Sequence, residues 1–135
     1  MRKGITIALM VAAGVLFIGL AVFVAWGLTP LGPTNEALAA MESDAVVTVV
    51  DHGGFVTFTP AASTPVSGFI LYPGGHVDYR SYAPVAREIA SRGYLVSIVE
   101  MPLSLAVFGV NSADEVIAAH PDIRSWVIGG HSLGG

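Results

Sequence analysis

At 135 residues, 53% hydrophobic and only 12% charged, the chain is too apolar for an ordinary soluble domain. Its formal net charge of −4 and its lack of cysteine exclude a basic nucleic-acid-binding surface and a disulfide-stapled scaffold. The apolar excess is local, and it lies at the N-terminus.

Residues 5–28 carry no charge. As a helix they would extend about 36 Å, against roughly 30 Å of bilayer hydrocarbon, which is enough to span with some tilt. Arg2 and Lys3 precede the run and the next basic residue is Arg80, so the positive-inside bias places the N-terminus in the cytoplasm and everything after Leu28 outside. Trp26 suits an interfacial anchor near the outer end. A cleaved secretory signal is the competing reading, with Ala37-Leu38-Ala39 as its cleavage pattern. Against it, the apolar run exceeds the about 7 to 15 residues of a signal core, and Ala39 lies well downstream, past Pro30 and Pro33. The expected organisation is a signal-anchor helix over residues 1–28, a stalk over 29–44 and a domain over 45–135. That is a single-pass protein of the cell membrane with an extracytoplasmic domain, or the same domain secreted if the signal is cleaved. The exported part holds four arginines against ten acidic residues, a net of −6, so the membrane is an expected partner and nucleic acid is not.

In the stalk, Pro30 and Pro33 block continuation of the membrane helix, and residues 35–41 can form one or two turns capped by Thr34. Residues 45–51 and 54–59 are β-branched and aromatic runs split by His52-Gly53-Gly54, which predicts a hairpin. Residues 67–72 form a continuous apolar run ending at Pro73-Gly74-Gly75, the pattern of a strand buried on both faces. A helix capped by Ser81 is predicted next, with Tyr82, Val85, Ala86, Ile89 and Ala90 on one face and Gly93 ending it. Residues 94–99 then read as a second buried strand, parallel to the first. Residues 103–110 are apolar without a period and read as a lining loop. Ser112-Ala113-Asp114-Glu115 is a capping box opening a helix that runs through Ala119 and stops at Pro121. Residues 125–128 form the last strand. A hairpin followed by β-α-β-α-β predicts an α/β sheet with helices on both faces.

That last strand breaks into Gly130-His131-Ser132-Leu133-Gly134, which fits G-x-S-x-G: a serine on a sharp strand-to-helix turn, with flanking glycines making room for a strained backbone. The hydroxyl of Ser132 is the candidate nucleophile. The amide of Leu133 follows it at the N-terminus of a new helix, where a carbonyl oxygen gaining negative charge would be stabilised. A phosphate loop is excluded, because no lysine follows the glycines and their spacing misses G-x-G-x-x-G.

Together with Tyr72-Pro73-Gly74-Gly75-His76-Val77-Asp78 and Val99-Glu100-Met101-Pro102-Leu103, the run Gly129-Gly130-His131-Ser132-Leu133-Gly134-Gly135 resembles the α/β-hydrolase superfamily. The resemblance is to the N-terminal half of the domain, over residues 45–135, and to the membrane-anchored bacterial branch. It implies the hydrolase sheet up to its nucleophile elbow, preceded here by one transmembrane helix. It also implies a second oxyanion amide from the loop after the third strand, on Gly75 or His76, and no cofactor. The family's chain order is Ser, then Asp or Glu, then His, and no residue follows Gly135. Among the upstream histidines His76, with Asp78 two residues on, is the candidate substitute base. His52 reads as a turn residue, His120 as a helix-end residue and His131 as a neighbour pointing away from the serine. The chain is therefore expected to be a fragment, without turnover of its own and prone to aggregate when expressed alone.

The function expected of the intact protein is that of a membrane-tethered serine hydrolase acting on a small ester-like substrate. An acyltransferase would use the same groups. A non-catalytic α/β-hydrolase-like binding module is the alternative from a different class.

Overall fold

The computed structural model describes residues 2–135. Met1 and the side chain of Arg2 lie outside the described residues, and with Arg2 goes half of the basic flank from which the topology was read.

Helix α1 (Arg2–Gly27) meets the rest of the chain only near its C-terminal end, through Phe23, Trp26 and Gly27 among the described residues, and its apolar side chains are exposed along most of its length. The span Lys3–Gly27 is long and apolar enough to cross a membrane, a test that a signal sequence also passes. After it come a short helix α2 (Asn35–Ala39), strands β1 (Val47–Asp51), β2 (Phe55–Pro60) and β3 (Ser67–Tyr72), helix α3 (Ala83–Ser91) and strand β4 (Leu95–Val99). Helix α4 (Ser112–Ala119) and strand β5 (Ser125–Gly130) complete the order. The five strands form one sheet in the order β1-β2-β4-β3-β5. The hairpin β1–β2 is antiparallel and joins β4 antiparallel, while β3 pairs parallel with both β4 and β5.

Strand β4 is buried at all five positions, its one polar residue, Ser97, included. Alternation then sorts the neighbouring side chains into two cores. Val56, Phe58, Leu71, Val96 and Ile98 pack under α3 on one face. Phe55, Ile70, Tyr72 and Val99 pack with Ala113 and Val116 of α4 on the other. Within β3, a Cβ on Gly68 would run into the Trp126 indole, so the glycine lets β5 pack closely against β3.

Three local expectations are corrected by tertiary contacts. The buried face of α3 is Ala83, Ala86 and Ala90, and Val85 is 47% exposed, because the helix seats its smallest residues against the sheet. Ser81 caps nothing; the turn Tyr79–Tyr82 precedes α3, and Asp78 caps it by accepting the Arg80 amide at 3.0 Å. The capping box at Ser112 does not form either. Instead the Tyr72 hydroxyl accepts the Ala113 amide at 2.9 Å and donates to the Val110 carbonyl at 3.1 Å. A buried hydroxyl from β3 thus satisfies one of the orphan donors that α4 leaves at its start.

The stalk is more engaged than a tether. Thr34 caps α2 as expected, through the Ala37 amide at 3.2 Å. Leu31 makes a parallel bridge to Val77, donating to the His76 carbonyl and accepting from the Asp78 amide, each at 3.0 Å. Arg87 reaches back to the carbonyls of Ala40 and Glu42 and to Asp44.

On the α4 face, His52 stacks on Phe55 and His120 meets both edge-on. The Nε2 of His120 is buried without a hydrogen-bond partner. Burial first, and the neighbouring His52 second, hold its pKa below the usual 6.5. The folded state therefore binds fewer protons than the unfolded one as pH falls through about 6.5, so this residue's contribution is intact above that value and lost on acidification. The melting temperature of the chain in detergent should fall as the pH drops below about 6.5, and a His120→Phe variant should show a shallower fall.

Candidate active site

The parallel strands β3, β4 and β5 all end at one edge of the sheet, and the loops that follow them converge there, where α/β sheets bind ligands. Ser132 leaves β5 with a φ of 53°, in the left-handed region. Its neighbours hold it there. The His131 amide donates to the Tyr72 carbonyl at 3.1 Å, and the Gly134 amide to the His131 carbonyl at 2.9 Å, closing a tight turn over Ser132–Gly134. The expected helix after the serine takes the form of this single 3-10 turn.

The glycines of the motif are sterically required. A Cβ on Gly130 would collide with the Gly134 carbonyl, and one on Gly134 would collide with the Tyr72 carbonyl and sit 2.6 Å from that of Pro73. The loop after β3 is pressed as closely onto the turn: a Cβ on Gly75 would lie 2.9 Å from Leu133 Cδ2, and one on Gly74 2.9 Å from His131 Nδ1. The structure thus brings Gly75, Leu133 and Ser132 together. It separates the two candidate oxyanion amides, because His76 donates its N–H to the Ser104 carbonyl at 2.8 Å. No backbone hydrogen bond among the described residues occupies the amides of Gly75 and Leu133.

The expected pairing of His76 with Asp78 does not form. The His76 ring stacks on Trp26 at 4.2 Å, and its Nε2 lies 3.0 Å from the Trp26 carbonyl. Asp78 is held by Arg80 through bonds of 2.9 and 2.6 Å, and that guanidinium keeps its carboxyl below the usual range. Among the described residues, no hydrogen bond joins the Ser132 hydroxyl to any of the four histidines.

Tyr82 was read only as part of the apolar stripe of a helix, yet it is central here. Its hydroxyl accepts the amide of buried Gly74 at 2.9 Å and lies 2.9 Å from His131 Nδ1, so one oxygen ties the β3 loop to the elbow. Only the tyrosine's polar tip could have signalled this. Trp26, Gly27 and Ser104 were also missed as neighbours of the site: the Ser104 hydroxyl donates to the Gly27 carbonyl at 3.0 Å. His76, Leu103, Ser104 and Ser132 are the non-glycine residues with positive φ among the described residues, and all four lie in these loops.

A cavity of about 330 Å³ borders the elbow, lined by Tyr72, Ala106, Val107, Val110, Ile128 and Leu133 among others, so residues 103–110 do line the site. A larger one of about 520 Å³ lies between Leu28, Pro30, Asp78 and Glu100, away from the elbow residues. No group of three or more His, Asp and Glu side chains gathers to hold a metal ion among the described residues.

Comparison with protein families matches residues 68–135, half of the chain, to the alpha/beta hydrolase family. Comparison with curated proteins returns no match.

Tyr82→Phe removes the acceptor of the buried Gly74 amide, and should destabilise the chain by about 1–3 kcal/mol. Thermal unfolding in detergent measures the loss. His131→Ala, made alone and in the Tyr82→Phe background, should show coupling between the two sites.

Proposed function

The chain belongs to the alpha/beta hydrolase family, and from that premise we propose that it serves as a membrane-tethered serine hydrolase of ester-like bonds with Ser132 as nucleophile. The observation that carries the reading is the left-handed backbone of Ser132, which sets an exposed hydroxyl on the turn after β5 while the loop of Gly75 packs against Leu133. In the proposed reaction Ser132 Oγ attacks an acyl carbonyl and passes its proton to a base. The amides of Leu133 and Gly75 stabilise the oxygen that becomes negative. A second reading is a non-catalytic binding module of the same fold. In membranes of cells that make the protein, a fluorophosphonate probe should label it, and Ser132→Ala should abolish the labelling. Unchanged labelling of that variant would remove Ser132 from the role, and no labelling of either form would favour the module.

We further propose that α1 stays attached and crosses the membrane with its N-terminus inside. The bonds joining Trp26 and Gly27 to His76 and Ser104 support an anchor over a cleaved signal, since cleavage would strip these contacts from the site. Protease added to intact spheroplasts should digest the domain and leave α1 protected, whereas a protected domain would reverse the topology.

A further inference from the structure

Beside the elbow lies an apolar loop with no evident reason to face water. Residues 101–113 carry no charge, and Val107, Phe108 and Val110 are 56%, 53% and 67% exposed. Three large apolar side chains within four residues form a patch of the kind that marks an interaction surface. Its position indicates the partner. The Phe108 ring meets Phe23 of α1 edge-on at a centroid distance of 6.4 Å, and Phe23 contacts Trp26 at 6.0 Å. Phe23 precedes the outer end of the apolar run, Leu28, by about 7 Å along the helix axis. The loop therefore hangs beside the part of α1 that would enter the hydrocarbon, at the depth where Trp26 would lie in the interface. It is also a wall of the neighbouring cavity, because Ala106, Val107 and Val110 line it together with Leu133 and Gly134, the two residues that follow Ser132.

We propose that residues 103–110 insert into the outer surface of the bilayer, so that the cavity beside Ser132 takes its substrate from the membrane, as an amphiphile whose acyl ester lies near headgroup level. The inference rests on the reading of α1 as an anchor. The absence of charge in the loop, its contact with α1 and its place on the cavity wall favour lipid over a water-soluble ester. An apolar chain could reach the cavity along Phe108 without leaving the hydrocarbon, while the ester carbonyl met the elbow at the polar boundary.

The cysteine-free chain permits a direct test with the whole protein in phosphatidylcholine vesicles. An environment-sensitive fluorophore would be attached in turn to Leu16→Cys, Phe108→Cys and Val85→Cys, and quenched by nitroxide lipids or by aqueous iodide. The proposal expects lipid quenching at Leu16 and Phe108 and iodide quenching at Val85. Lipid quenching at Leu16 with iodide quenching at Phe108 would overturn the insertion and leave the anchor standing. Shielding of Phe108 from both quenchers would show it covered by protein, and would overturn it equally. Loss of lipid quenching at Leu16 would defeat the anchor reading, and the proposal with it. For substrate class, Phe108→Ser should lower labelling by a long-chain fluorophosphonate in vesicles about tenfold more than it lowers labelling by a short, water-soluble one. An equal fall with both probes would overturn membrane delivery.

Discussion

The left-handed backbone of Ser132 persists because Gly130 and Gly134, two residues before and after it, have no side chains to push the turn away from β3. Gly130 pairs in register with Tyr72 of β3, and Gly134 folds back onto the carbonyls of Tyr72 and Pro73 at a separation no Cβ could tolerate. The His131 amide, bonded to the Tyr72 carbonyl, holds the turn to the neighbouring strand. Every other feature of the site depends on this close approach, since a turn relaxed away from β3 would lose both the exposed hydroxyl and the contact between Leu133 and Gly75. The parallel register of β3 and β5 is therefore a constraint on chemistry as well as on folding. It is maintained from below by the Trp126 indole, which lies over Gly68.

Strain at the elbow is one part of a larger concentration. Four non-glycine residues with positive φ, of order 1–3 kcal/mol each, gather in the loops after β3, β4 and β5. Such conformations survive only when their surroundings over-determine them, and here the surroundings include the end of α1. His76 is bonded to Ser104 and stacked on Trp26, while Ser104 is bonded to Gly27. Leu31 straps the same loop from the other side. The segment that would tether the domain to a membrane is thus also a support for the loops that shape its site.

Two tyrosine hydroxyls perform structural tasks that local sequence assigns to other groups. Tyr72 replaces a capping box at the start of α4, and Tyr82 replaces backbone pairing for Gly74 while engaging His131. Each ring is packed among apolar side chains and each hydroxyl emerges where an amide would otherwise be buried without a partner, which a tyrosine's apolar body and polar tip allow. The two faces of the sheet are joined to the site in this way, α4 through Tyr72 and the segment leading into α3 through Tyr82.

Periodicity and glycine placement were enough to read the apolar N-terminal helix, the hairpin, the buried strands, the two crossover helices and the G-x-S-x-G turn from sequence. These follow from local rules: an unbroken apolar run is a strand buried on both faces, and paired glycines mark a sharp turn. Sequence could not say which residues of α3 face inward, since Val85 and Ala83 both fit an apolar stripe and only the packing of the helix on the sheet selects the alanines. It could not choose between the amides of Gly75 and His76, because the choice is made by a carbonyl 28 residues away at Ser104. Nor could it show that Trp26 would stack on His76, or that Phe108 would meet Phe23, across separations of 50 and 85 residues. Composition and spacing carry information about elements, whereas the uses of individual amides, hydroxyls and rings depend on which distant atoms fill the space beside them, and only the tertiary structure decides that.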